Sequence, residues 1–137
     1  MKINALTGKK ILIIDDDTDD VEILAEAFTQ SGVESVHYVH TAMQAFMYLQ
    51  SIEDPQHLPK LIVTDHYLPG MTGRAFLADL KKMDKYKSIH AIVLSSDKSE
   101  EQIEQYRLLG VQEYLIKSIS YADYVKVAKE IADRVTE

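Results

Sequence analysis

The sequence contains no cysteine. Disulfide scaffolds, thiol catalysis and zinc–thiolate sites are therefore excluded, and a cytoplasmic protein is the simplest reading. Long apolar runs are also missing. The longest, ILII at 11–14 and AIVL at 91–94, fall far short of the roughly 20 residues that a bilayer-spanning helix needs, so no membrane association is expected. Residues 1–8 carry no extended apolar region or small-residue cleavage site of a secretory signal. Positive charge is scarce too: 15 Lys and Arg stand against 22 Asp and Glu, a net charge of −7. A nucleic-acid partner would need a basic face, and none is visible, so the expected partner is a protein or a small ligand. No long low-complexity tract interrupts the 137 residues, of which 46% are hydrophobic. One domain over 1–137, with its core at about 9–135, can bury a core without covalent help.

What is present is a regular alternation. KILII at 10–14, SVHYV at 35–39, KLIVT at 60–64, HAIVL at 90–94 and QEYLI at 112–116 are short, rich in β-branched residues and bounded by polar or turn residues, as strands are. Helical spacing fills the gaps: Val21, Leu24, Ala25 and Phe28; Ala42, Ala45, Phe46 and Leu49; Phe76, Leu77 and Leu80; Ile103 and Tyr106; then Tyr121, Tyr124, Val125, Ala128, Ile131, Ala132 and Val135. Thr41 with Gln44 and Ser99 with Gln102 have capping-box spacing, Ser120 can cap the last helix, and Gly32 and Gly110 sit where helices should stop. Residues 51–59 form the one extended connection. Strands apolar on both faces and separated by helices imply an α/β fold: a doubly wound, five-stranded parallel sheet of flavodoxin-like order 2-1-3-4-5, with five helices.

Ligands of such sheets sit beyond the carboxyl ends of the central strands. The residues that follow the strands are therefore the candidate site: Asp15 and Asp16 after the first, Asp65 after the third, Ser95 and Ser96 after the fourth, Lys117 after the fifth. Two carboxylates about 4 Å apart repel by roughly 4 kcal/mol at an effective dielectric near 20, so the crowding requires positive charge. Three carboxylates form the oxygen-rich pocket that a hard divalent cation such as Mg²⁺ prefers. The lysine and a serine hydroxyl suit a phosphoryl group.

The pieces ILIIDDD, LIVTDHYLPGMTG, AIVLSS and EYLIK, in this order and spacing between about Lys10 and Arg134, resemble the response-regulator receiver family of two-component signalling. The resemblance implies that Asp65 is the phosphoacceptor, taking a phosphoryl group from a sensor histidine kinase, a histidine phosphotransfer protein or a small donor such as acetyl phosphate. It implies that Asp15, Asp16, Asp65 and the backbone carbonyl of Tyr67 hold Mg²⁺, and that Ser95, Ser96 and Lys117 receive the phosphoryl group. Ser95 and Tyr114 would form a switch pair that alters the face made by the fourth helix, fifth strand and fifth helix, for a downstream protein target or a homodimer. Tyr67 and Asp97 occupy positions that tune phosphate lifetime. Such a protein catalyses its own phosphorylation and dephosphorylation and is not otherwise an enzyme. The acid-rich start of the first helix resembles, on that feature alone, small stand-alone receivers, some of them paired with phytochrome-type kinases.

Two positions depart from the family pattern. Ser118 follows Lys117 where proline is usual, and since a cis non-proline bond costs about 2.5–4 kcal/mol, a trans peptide is expected. Ser96 stands where Ala or Gly is common. Asp17, Asp19 and Asp20 read as a solvated first helical turn that complements the helix dipole, and His66 as an exposed loop residue. An EF-hand reading of Asp15, Asp17, Asp19 and Glu26 fails because Asp20 replaces the required glycine and a strand precedes the run. A haloacid-dehalogenase-type phosphatase reading of Asp17 and Asp19 needs its nucleophile directly at the strand end. The competing class is a receiver-like interaction module that is never phosphorylated.

Overall fold

The computed structural model describes residues 10–33, 35–111, 113–117 and 120–135. Five strands, β1 (Lys10–Ile14), β2 (Ser35–Val39), β3 (Leu61–Thr64), β4 (His90–Ser95) and β5 (Glu113–Ile116), form one sheet in the order β2-β1-β3-β4-β5. Every neighbouring pair is parallel. Between and after them run α1 (Thr18–Gln30), α2 (Ala42–Gln50), α3 (Gly73–Lys81), α4 (Glu100–Leu108) and α5 (Tyr121–Val135).

The period-2 geometry of a strand explains the two-sided apolar runs. In β1, Ile11 and Ile13 pack with Val21, Leu24 and Phe28 of α1 and Tyr124, Ala128 and Ile131 of α5. Leu12 and Ile14 face the other way, onto Ala45 and Leu49 of α2, Phe76, Leu77 and Leu80 of α3, and Tyr106 of α4. The edge strand β2 departs from the expectation: His37 and Tyr38 are exposed, because an edge strand has a sheet neighbour on one side only. Residues 51–59 contain a short 3₁₀ turn, Pro55–His57, capped by Asp54.

The expected caps form. Thr41 Oγ1 accepts from the Gln44 N–H at 3.1 Å while Gln44 Oε1 accepts from the His40 N–H at 2.8 Å, and Ser99 and Ser120 receive the N–H groups of Gln102 and Asp123. Gly32 and Gly110 adopt φ of 93° and 80° just beyond α1 and α4, the left-handed region that glycine enters freely. The Lys117–Ser118 peptide and Gln112, expected to open the fifth strand, lie outside the described residues. Among the described residues no helix is long and apolar enough to cross a membrane.

Sheet register brings the candidate site together. The Asp65 N–H donates to the Ile14 carbonyl at 3.0 Å, and the Lys117 N–H to the Ser95 carbonyl at 2.8 Å. Residues up to 102 positions apart thus meet at one sheet edge.

Candidate functional site

At the carboxyl edge of the sheet, one ligand oxygen each from Asp15, Asp16 and Asp65 lies within 4.8 Å of the others. Asp15 is buried, Asp65 half-buried and Asp16 exposed, so the cluster is anchored in the protein and opens to water. An all-oxygen set with an open side fits a hard cation that keeps some of its water, as Mg²⁺ does. Asp65 Oδ1 accepts from the His66 N–H at 2.6 Å and lies 3.4 Å from the Tyr67 N–H. Its Oδ2 accepts from Lys117 Nζ at 3.0 Å.

Lys117 is held on three sides: Nζ lies 2.7 Å from Asp15 Oδ2, 2.9 Å from Asp20 Oδ2 and 3.0 Å from Asp65 Oδ2. Burial alone would lower the lysine pKa, but the bonds to Asp15 and Asp20 and the charges of Asp15 and Asp65 outweigh it and hold the ammonium above its usual range. Burial pushes Asp15 up to about 6, against the opposing bond from Lys117. Both shifts favour the protonated form, Asp15 because of burial and Lys117 because of the carboxylates around it.

Asp20 corrects the reading of the first helical turn. Asp17 caps α1, accepting from the Asp20 N–H, and Asp19 is exposed, as a solvated turn requires. The Asp20 carboxylate instead turns toward the crevice and shares Lys117, and its side chain is only 24% exposed. Its neighbours Val21 and Leu24 are buried, so its place beside the core face of the helix is the one sequence signal that could have separated it from Asp19.

His66 is a second correction. It is 8% exposed rather than a solvent-facing loop residue, and its Nδ1 lies 2.8 Å from the hydroxyl of Tyr106, which is fully buried in α4. The helical spacing marked Tyr106 as a core position, but nothing in sequence pairs it with His66.

Tyr67 is 56% exposed, and its hydroxyl donates to Asp97 Oδ2 at 2.9 Å, so the two residues singled out for lifetime tuning bridge the β3–α3 and β4–α4 loops. Ser95 is fully buried and its Oγ accepts from the Asp97 N–H at 3.3 Å, whereas Ser96 is exposed. The half-buried Tyr114 donates its hydroxyl to the Asp97 carbonyl at 2.6 Å. Burial raises the Tyr114 phenol, and a hydrogen bond with the Ser95 side chain works against that rise.

Comparison with known proteins agrees with this arrangement. The family model for the response regulator receiver domain matches residues 11–129. The two-component response regulator ORR8 of Oryza sativa subsp. indica is 29% identical over 92% of this chain and 100% of its own length. Among solved structures, the Mn²⁺-bound form of response regulator Rcp1 superposes with a TM-score of 0.85 at 27% identity, covering 94% of this chain and 95% of that one. The phosphorylated cyanobacterial phytochrome response regulator RcpA gives 0.83 at 30% identity, covering 91% of each chain.

Proposed function

The chain belongs to the response regulator receiver domain family, and from that premise we propose that it is a phosphoacceptor of a two-component relay, built as one receiver domain, in which Asp65 takes a phosphoryl group from a histidine kinase or phosphotransfer protein. One observation carries this reading. A half-buried Asp65 carboxylate sits with one oxygen on the Lys117 ammonium and the other on a backbone N–H, beside two further carboxylates at the open end of the sheet.

The residues divide the work of phosphoryl transfer, which is chiefly placement and charge neutralisation. Asp65 supplies the attacking carboxylate, oriented by His66 N–H and Lys117. The bond from phosphorus to the donor breaks as the new O–P bond forms. Lys117, already in contact with Asp65, and the hydroxyls of buried Ser95 and exposed Ser96 receive the phosphoryl oxygens. Asp15, Asp16 and Asp65, with the Tyr67 carbonyl, would hold Mg²⁺, which supplies neutralisation of phosphoryl charge when bound. The Mn²⁺ of Rcp1 and the phosphorylated state of RcpA support both parts of the reading. Tyr67 and Asp97, joined by a hydrogen bond beside Asp65, limit the access of hydrolytic water and so lengthen the life of the phosphoryl group.

Signal output follows from Ser95 and Tyr114. Drawing the Ser95 hydroxyl to a phosphoryl oxygen removes it from Tyr114 and the Asp97 loop, and the α4–β5–α5 face re-packs for a downstream protein or a second copy of the chain. The protein is a signalling module whose only chemistry is on itself, and a phytochrome-linked kinase is the partner class that the likeness to RcpA favours.

Acetyl phosphate with Mg²⁺ should add one phosphoryl mass to the wild-type protein and none to Asp65→Ala. An adduct of equal yield in both proteins, or in neither, overturns the assignment and leaves an unphosphorylated interaction module.

A further inference from the structure

Asp20 lies outside the three-carboxylate cluster yet contacts the same ammonium as two of its members. Lys117 has three donor protons and three carboxylate partners, so its hydrogen-bonding capacity is shared among Asp15, Asp20 and Asp65. The oxygens it holds on Asp15 and Asp65 belong to residues that would ligate a metal. Ammonium and cation therefore compete for one pair of carboxylates. We infer that Asp20 is a positioning residue that draws the Lys117 ammonium toward α1, leaving Asp15 and Asp65 open to a divalent cation while keeping the lysine at the crevice. This rests on the metal-assisted reading above.

The geometry gives the inference its direction. The Asp15 side chain is 7% exposed and that of Asp65 12%, so without Asp20 the ammonium would be committed to two poorly hydrated carboxylates. An arriving cation would then have to displace it with no alternative anion to receive it. Asp20, at 24% exposure on the α1 side, is such a receiver. Asp19, one residue earlier and exposed, carries the same charge without that contact geometry and serves as the matched control.

The test is a Mg²⁺ titration of the full chain followed by amide chemical shifts, with the Lys117 ammonium resonance observed in parallel. Asp20→Asn should weaken Mg²⁺ binding roughly tenfold, the size of effect usual for groups that orient metal ligands, and should shift the Lys117 resonance. Asp20→Glu should restore most of the affinity. Asp19→Asn should stay within about twofold of wild type, since an exposed charge is largely screened. In a Lys117→Met background, Asp20→Asn should lose its effect, because the group it positions is gone. Unchanged affinity in Asp20→Asn, an equal loss in Asp19→Asn, or the full loss persisting without Lys117 overturns the inference. Failure of the wild-type protein to bind Mg²⁺ at all would overturn the metal reading itself, a separate outcome.

Discussion

His66 joins three parts of the structure through three different atoms. Its N–H donates to Asp65 Oδ1, its carbonyl accepts from the Gly73 N–H at 2.8 Å, and its ring meets Tyr106. The Tyr106 phenol and His66 Nδ1 satisfy one another in a single hydrogen bond, the imidazole tautomer setting which of them donates. Burial lowers the His66 pKa and raises that of Tyr106, consistent with a neutral pair. Tyr106→Phe leaves the His66 ring nitrogen without this partner, and urea unfolding should show a loss of about 1–3 kcal/mol. Acetyl phosphate should still modify Asp65 in that variant, because the backbone bonds to its carboxylate remain. The convergence of Asp15, Asp16, Asp65, Ser95 and Lys117 was legible in sequence because each ends or follows a strand, and strand ends converge in a parallel α/β sheet. His66 and Asp20 were not, since a polar side chain in a loop or first turn can face either water or the core, and tertiary packing alone decides.

The start of α3 shows how an element holds the site. Thr72 caps it, accepting from the Ala75 N–H at 3.1 Å, and Gly73 opens it directly against the Asp65 loop. A Cβ at Gly73 would collide with the backbone carbonyl oxygen of Asp65 and crowd the Tyr106 hydroxyl. The colliding atom is backbone, so the loop carrying the proposed acceptor must move. Gly73→Ala should cost about 1–3 kcal/mol in thermal or urea unfolding, the range of an overpacked core, and should also slow phosphorylation by acetyl phosphate. Thr72→Ala should cost about 1 kcal/mol through the lost cap and leave that rate nearly unchanged, which separates loop displacement from simple destabilisation. Capping boxes and terminal glycines were readable because they are local signals. Gly73 was not singled out, because its need for a missing side chain arises from a neighbouring loop. The exposed residues of β2 follow from its place at the sheet edge, which the expected strand order already contained but the reading of SVHYV as one more apolar run did not use.

A chain of net charge −7 places Asp15, Asp20 and Asp65 around the ammonium of Lys117, with Asp16 beside two of them. That excess is a folding liability as well as the basis of the proposed cation site. Burial holds Asp15 at about 6 in the folded protein against 3.8 ordinarily, so between those values the folded state binds a proton that the unfolded chain has already released. Stability contributed by this group is therefore greatest below about pH 4 and falls as pH rises toward 6, on the order of 2–3 kcal/mol across the window. Many other carboxylates titrate in the same range, so the measurement is the difference between wild type and Asp15→Asn in metal-free urea unfolding at several pH values. The wild type should lose stability relative to the variant as pH rises, and saturating Mg²⁺ should flatten that slope by competing with the proton for the same oxygens. A difference independent of pH would mean that the buried carboxylate is fully compensated by Lys117 alone. The crowding of acids after β1 would then owe nothing to an unmet demand for positive charge.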